Sequence, residues 1–332
     1  MLEMSAWQAA ARLRIHDRPD APGRMRGKIA VITGAAQGLG LGIAQALHRE
    51  GAAVVLVDRN ESLAQAEAQR LGARALAVGA DVTREEDGAA LMGKAVERFG
   101  GIDLLVNNAG IVRSGALTAL EKEDFERVTA VNYTAFYLCA RYAAAVMQAQ
   151  HAADPDWWGD IVEINSKSGL VGSSRNFAYA GSKFGGIGLV QSFALELCAD
   201  HIKVNAVCPG NYLEGPLWSD PENGLFVQYL KAGKVPGARD VQDVRRHYEA
   251  KVPMGRGCLP EDVARAVLYA VEGGDWFTVS APGRIEVTDE GSTLFTEDPA
   301  GTRRYLSVTQ EQADAILKHF VEVITAQPKN RK

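Results

Sequence analysis

The amino-acid sequence predicts an α/β protein of Rossmann type. It reads as a doubly wound parallel sheet in a single domain, with an N-terminal arm and a C-terminal helical tail. Three observations carry this. Short continuous apolar runs alternate with longer Ala-, Leu- and Glu-rich stretches of helical period. Such runs belong to strands buried on both faces, hence to a parallel sheet covered by helices. A glycine-rich turn, residues 33–40, joins the first run to the first helical stretch, and Asp58 closes the second run.

In chain order, residues 1–26 form the arm. Trp7, Leu13 and Ile15 are spaced for a short helix, which Pro19 and Pro22 would end. Strands follow at 29–33, 53–57, 75–78, 104–107, 161–165 and 204–207, separated by helical stretches such as 39–49, 63–71, 87–99 and 125–147. A last strand at 284–287 is expected to close the sheet, so that the dinucleotide-binding domain spans 27–294. Residues 211–253 interrupt the rhythm with a long polar and aromatic insertion, the pattern of a lid over a binding site. In the tail, 295–332, Thr309 and Gln312 form a capping box, and Ile316, Leu317, Phe320, Val321 and Ile324 share one helical face.

Bulk composition excludes several classes. The formal net charge is −5 and no basic run exists, so no row of nucleic-acid phosphates would be neutralised. Cys139, Cys198, Cys208 and Cys258 show no C-x-x-C spacing, which argues against a zinc site or disulfide framework. No metal is expected. No apolar run is long enough to span a bilayer, and residues 1–26 lack the apolar core of a secretory signal. A reduced, cytoplasmic chain is expected.

The turn T-G-A-A-Q-G-L-G is a dinucleotide-binding element. Gly34 permits the tight turn, while Gly38 and Gly40 allow close approach of backbone to a pyrophosphate. Thr33, Gln37 and Leu39 complete the segment. The helix that follows presents N–H donors and the positive end of its dipole. Asp58, eighteen residues beyond Gly40, would accept from the adenosine ribose hydroxyls and repel a 2′-phosphate. That favours NAD over NADP, although Arg59 beside it would offset part of the carboxylate's charge. Asp81 and Val82 are placed to hold the adenine edge.

Tyr179 and Lys183 stand one helical turn apart, with Ser166 thirteen residues before the tyrosine. A free phenol, with pKa about 10, is a poor base at neutral pH. A lysine at i+4 is within reach to stabilise the phenolate. A serine hydroxyl donating to the substrate oxygen completes a group that moves a proton on and off an alcohol.

These motifs resemble the short-chain dehydrogenase/reductase family over about residues 27–294. The matching positions are Thr33-Gly34-x3-Gly38-x-Gly40, Asn107-Asn108-Ala109-Gly110, Asn132, Ser166, Tyr179-x3-Lys183 and Pro209-Gly210. The resemblance implies that Asn108, Ala109 and Gly110 steady the sheet beside the cofactor and that Pro209-Gly210 lies near the nicotinamide. It also implies that Asn132 holds a water linking Lys183 to solvent. Family members pair as dimers or tetramers through the helices carrying Asn132 and Tyr179. A homo-oligomer is therefore expected, with Phe136, Tyr137, Tyr142, Phe184 and Phe193 along those helices. Four segments, I-N-S-K-S-G, K-F-G-G, G-N-Y-L-E-G-P-L-W and K-V-P-M-G-R-G-C, further resemble polyol/sugar dehydrogenases of the sorbitol-6-phosphate 2-dehydrogenase kind. The chain departs from the family at A-P-G-R-I-E-V-T-D-E-G, residues 281–291, where the usual pattern is T-G-x4-V-D-G-G.

The expected reaction interconverts a secondary alcohol of a polyol or sugar, phosphorylated or not, and the ketone. Ser168, Asn211, Glu214 and Trp218 are the expected substrate contacts, with Trp218 as an aromatic platform. Lys167 and Arg175 would either reach a phosphate or face water as loop residues. Two alternatives use the same residues: an NADP-linked carbonyl reductase of acyl or other non-sugar ketones, and a cofactor-binding sensor with little turnover.

Overall fold

Alternate residues of the first strand enter opposite cores: Ile29 and Val31 pack on one face of the sheet, Ala30 and Ile32 on the other. This double burial is the physical reason for the unbroken apolar run. The structure, a computed structural model, describes residues 2–252 and 254–272, with the backbone of strands 284–288, 291–297 and 303–307. The chain divides into two units, Met1–Phe277 and Thr278–Lys332.

The first unit begins with helix α1 (Leu2–Leu13). It continues β1 (Ile29–Thr33), α2 (Gly38–Arg49), β2 (Ala53–Asp58), α3 (Glu61–Leu71), β3 (Ala75–Gly79), α4 (Glu85–Phe99) and β4 (Leu104–Asn107). Helix α5 (Lys122–Thr129) runs through a π turn (Ala130–Thr134) into α6 (Ala135–Ala153). Then come β5 (Gly159–Ile164), α7 (Phe177–Leu197) and β6 (Ile202–Val207). All strand pairs are parallel, in the order β3-β2-β1-β4-β5-β6. The order reverses between β1 and β4, where Val31 lies opposite both Val55 and Leu105. Open α/β sheets bind ligands at such a point, outside the carboxyl ends of the strands.

The N-terminal segment is integrated into the first core. Ala11 is fully buried, Trp7 packs on the core cluster, and Leu13 faces solvent at 86% exposure. The helix stops at Leu13, well before Pro19, and its exit is held elsewhere. Arg14 donates to the carbonyls of Val96 and Glu97 at the end of α4, and Arg18 pairs with the buried Asp103 at 3.4 Å. A Cβ at Gly93 on α4 would overlap the Trp7 ring, so that glycine admits the indole.

The 211–253 insertion is not an open polar loop. It folds as α8 (Pro216–Ser219), α9 (Leu225–Lys231) and α10 (Val241–Glu249), around a small core of its own. Leu213, Trp218, Phe226, Tyr229, Val244 and Tyr248 make that core. Helix α11 (Pro260–Glu272) then packs on α2.

In the second unit, β7 (Arg284–Thr288), β8 (Gly291–Glu297) and β9 (Arg303–Ser307) form an antiparallel sheet in that order. The expectation that strand 284–287 closes the parallel sheet is therefore corrected. Thr288 lies opposite Gly291, so the strand meets its partner immediately downstream. Closing so short a connection costs little chain entropy. The tail helix expected from Thr309 to Ile324 lies outside the described residues.

The fit of Trp7 against Gly93 gives a double-mutant test. Gly93→Ala alone should destabilise the protein by about 2 kcal/mol, because the indole must move. In a Trp7→Ala background the same change should be neutral or stabilising by about 0.5–1 kcal/mol, because alanine outranks glycine inside a helix. Urea unfolding of the four proteins measures the coupling.

Candidate active site

A cavity of about 730 Å³ opens at the carboxyl ends of β1, β4 and β5. At one end lies the turn from β1 into α2. Gly34 and Gly38 both have φ of 64°, the left-handed region that favours glycine. A Cβ at Gly40 would overlap the Gly34 carbonyl, so this third glycine lets helix and turn touch. Helix α2 starts without a side-chain cap: Gln37 is extended and its side chain makes no capping bond. The first-turn N–H groups of α2 are therefore left for another acceptor. Gln37, Gly38 and Leu39 line the cavity, whereas Thr33 and Gly40 lie behind its wall.

Thr33 is fully buried, and its Oγ1 accepts from the N–H groups of Asn108 and Ala109, each at 3.0 Å. The Asn108 amide returns two bonds, to the carbonyls of Thr33 at 2.9 Å and Gly34 at 3.1 Å. This clamp holds the ends of β1 and β4 together where the strand order reverses. Asn108, Ala109 and Gly110 face the cavity, as do Pro209 and Gly210 after β6.

Asp58 lines the same end. Its Oδ2 accepts from Ala36 N–H at 3.0 Å and its Oδ1 from Asn60 N–H at 2.9 Å. Both bonds fix the carboxylate while leaving each oxygen a further lone pair. Arg59 also lines the cavity. Asp81 and Val82 follow on the adjacent loop, and the Thr83 hydroxyl bonded to Asp81 holds that carboxyl below its ordinary value.

At the other end stand Ser166, Tyr179 and Lys183, all on the cavity wall. Lys183 is 3% exposed, and its ammonium donates to the Ile164 carbonyl at 2.8 Å. Ser166 Oγ accepts from Ser168 N–H at 3.1 Å, so its own hydrogen remains available to a ligand.

Asn132 lies on the π turn that leads into α6. It is fully buried within the π turn and does not line the cavity. Its amide accepts from Ile111 N–H at 2.8 Å and donates to Ile111 C=O at 2.9 Å and to Ser182 Oγ at 3.2 Å. The side chain is an anchor between the non-helical segment that follows β4, through Ile111, and α7, through Ser182. π turns of this kind recur at functional sites.

Two residues escaped the sequence reading. Glu163, on β5, is fully buried with one oxygen 3.8 Å from the Lys183 ammonium and the other bonded to Asn165 at 2.8 Å. Burial pushes its carboxyl up, and Lys183 opposes that rise. A Cβ at Gly186 would overlap this carboxylate, so the glycine on α7 makes room for it. Asn165 also donates to the Lys183 carbonyl at 2.9 Å and accepts from Ser166 N–H at 2.8 Å, tying the end of β5 to α7. The available signal was a charged residue inside a strand apolar on both sides, which must find a partner when buried.

The expected substrate contacts separate. Ser168 and Asn211 line the cavity. Trp218 reaches it only from within the insertion's core, where it is 6% exposed and edge-on to Phe226, Tyr229 and Tyr248. It is a core anchor rather than an open platform. Glu214 turns away from the cavity and pairs with Arg245 on α10, so the structure does not place it against a substrate. Lys167 lines the cavity and Arg175 does not.

A family model described as short chain dehydrogenase matches residues 28–219. Sorbitol-6-phosphate 2-dehydrogenase from Escherichia coli (strain K12) is 37% identical over 248 residues, covering 73% of this chain and 90% of the relative. The crystal structure of sorbitol-6-phosphate 2-dehydrogenase from Erwinia amylovora is similar with a TM-score of 0.66 and 34% identity, over 73% of this chain and 91% of that one. A 3-ketoacyl-(acyl-carrier-protein) reductase from Brucella melitensis, complexed with NADH, has a TM-score of 0.64 and 30% identity, over 74% and 90%. Among the described residues, no helix is long and apolar enough to cross a membrane.

Asn132→Ala would strand the N–H and C=O of Ile111. Each buried group left unsatisfied costs about 1–3 kcal/mol. The melting temperature should fall by at least about 4 °C, read by calorimetry, with a parallel loss of turnover.

Proposed function

The chain belongs to the short-chain dehydrogenase family, and on that premise we propose that it is an NAD-dependent dehydrogenase of polyols or sugars. It would interconvert a secondary alcohol of such a substrate and the corresponding ketone. The observation that carries the reading is one cavity with Asp58 at one end and Ser166, Tyr179 and Lys183 at the other.

Enzymes of this family act on alcohol groups of small molecules with a nicotinamide cofactor. The residues present fit such a group. The uncapped start of α2 supplies N–H donors for a pyrophosphate, and the fixed Asp58 carboxylate supplies acceptors for ribose hydroxyls. That carboxylate would repel a 2′-phosphate, which supports NAD over NADP. The similar Brucella reductase was solved with NADH. A nicotinamide held by these residues would supply the acceptor for hydride leaving the alcohol carbon.

The chain's own residues manage the proton. The Tyr179 phenolate takes the hydroxyl proton as the carbonyl forms, and Ser166 donates its free hydrogen to the same oxygen. The Lys183 ammonium stabilises the phenolate from a position set by Ile164, Asn165 and Glu163. The polar lining from Ser168, Ser173, Asn176 and Asn211 suits a hydroxyl-rich substrate, in keeping with the polyol-phosphate relatives.

Assembly as a dimer or tetramer belongs to the same reading. Phe125 on α5, Tyr137 on α6 and Phe184 and Leu195 on α7 are exposed, and large apolar side chains left exposed on these helices fit a subunit interface. Phe136 and Phe193 instead pack on each other inside, and Tyr142 donates to Glu85.

Tyr179→Phe should lower kcat by about 100-fold or more while NADH binding stays within about threefold, measured by fluorescence. Retained turnover would remove Tyr179 from the reaction. Wild-type protein should prefer NAD to NADP by about tenfold or more in kcat/KM, and Asp58→Ala should erode that preference. No NADH formation with any hexitol, pentitol or their phosphates would exclude the polyol reading.

A further inference from the structure

Besides Lys183, three lysines line the cavity that holds Ser166 and Tyr179: Lys167, Lys234 and Lys251. Their placement follows from the fold of the insertion. Tyr229 on α9 and Tyr248 on α10 stack with centroids 5.5 Å apart. The Lys234 ammonium lies 4.0 Å from the Tyr229 ring, and that of Lys251 lies 5.1 Å from the Tyr248 ring. Lys234 also donates to Ser173 Oγ at 3.2 Å. Lys167 directly follows Ser166, with its N–H bonded to the Pro209 carbonyl. Two ammoniums thus sit on neighbouring rings of one aromatic stack, and a third comes from the catalytic serine's own loop.

Among the described residues, none of the three forms an ion pair. Arg113, also on the cavity wall, is instead paired with Asp124 at 3.3 Å. Asp220 is the carboxylate on this stretch of wall, and its Oδ1 accepts from the N–H groups of Glu222 and Asn223. Burial and the two neighbouring ammoniums push Lys234 down to about 8. Burial and Lys251 push Lys167 down as well. Like charges converging in a cavity cost free energy that an anion placed among them reverses. Lysine ammoniums bind phosphate oxygens as point charges, so three of them around one cavity can share a tetrahedral oxyanion.

We propose that Lys167, Lys234 and Lys251 form an anion subsite beside the catalytic group, and that it takes a phosphate monoester on the substrate. This rests on the polyol dehydrogenase reading and narrows it: the substrate is a phosphorylated polyol or sugar, and the neutral parent is a poor one. The subsite also assigns a function to the 211–253 insertion, which carries two of its three cations on a rigid aromatic stack.

The test uses the full chain and the Lys234→Gln/Lys251→Gln variant. Calorimetry measures binding of inorganic phosphate and of D-sorbitol 6-phosphate. NADH formation is followed with D-sorbitol, D-sorbitol 6-phosphate and a hydroxy acid of similar size. Charge-assisted bonds of this kind are worth about tenfold each. Wild-type kcat/KM should favour the phosphate ester over sorbitol by about 100-fold, and the variant should bring the two to within about threefold. Inorganic phosphate should bind wild type and compete with the ester, and should bind the variant at least about tenfold more weakly. NADH affinity serves as the control for folding. The proposal is overturned if ester and parent are oxidised equally, if the preference survives in the variant, or if the hydroxy acid is preferred. If no polyol is oxidised, the polyol reading falls, and the phosphate titration alone then decides the subsite.

Discussion

A buried hydroxyl extends the β1–β4 pairing to the point where the cavity opens. Thr33 Oγ1 accepts from the N–H groups of Asn108 and Ala109, and the Asn108 amide answers with bonds to the Thr33 and Gly34 carbonyls. The chain leaves β1 toward α2 on one face of the sheet, while the chain leaving β4 builds the other side of the cavity. The crevice exists because these exits diverge, and the clamp sets how far they diverge. Asp58 depends on it in turn, since its partner Ala36 belongs to the turn that Asn108 holds. Buried polar groups are paired because leaving them unpaired is expensive, so such a network has few alternative arrangements.

The catalytic end follows the same logic with different atoms. Strand β5 ends on Glu163 and Ile164, Asn165 and Ser166 follow directly, and α7 carries Tyr179 and Lys183 back to them. The Ile164 carbonyl accepts from the Lys183 ammonium, the Asn165 amide donates to the Lys183 carbonyl, and Gly186 leaves space for Glu163. A lysine this buried is tolerable because a carbonyl and a carboxylate share its charge. The arrangement is preorganised by main-chain and amide bonds, which suits a group that must hold its geometry while a proton moves.

Local pattern made the α/β class legible. Double burial writes each strand as an apolar run, and the turn is announced by Gly34 and Gly38, whose positive φ favours glycine, and by Gly40, where a Cβ would overlap the Gly34 carbonyl. Tyr179 and Lys183 were legible because helical period alone brings them to one face. The failures came from partners distant in sequence. Trp218 read as an exposed platform, yet Phe226, Tyr229 and Tyr248 enclose it. Glu214 read as a substrate contact, yet Arg245, thirty-one residues on, takes it. The N-terminal segment read as an arm, yet Ala11, Ile15 and Met25 are buried, and Trp7 packs on the core where a glycine on another helix admits it.

The most direct test of the clamp is NADH affinity in Thr33→Val. Valine keeps the shape and β-branching of threonine and removes only the acceptor for the two N–H bonds, so the fold should persist by circular dichroism. If the clamp sets the crevice, the Kd for NADH rises by about tenfold or more. An affinity within about twofold of wild type would contradict it, and would mean that the two halves of the sheet hold their spacing without Thr33.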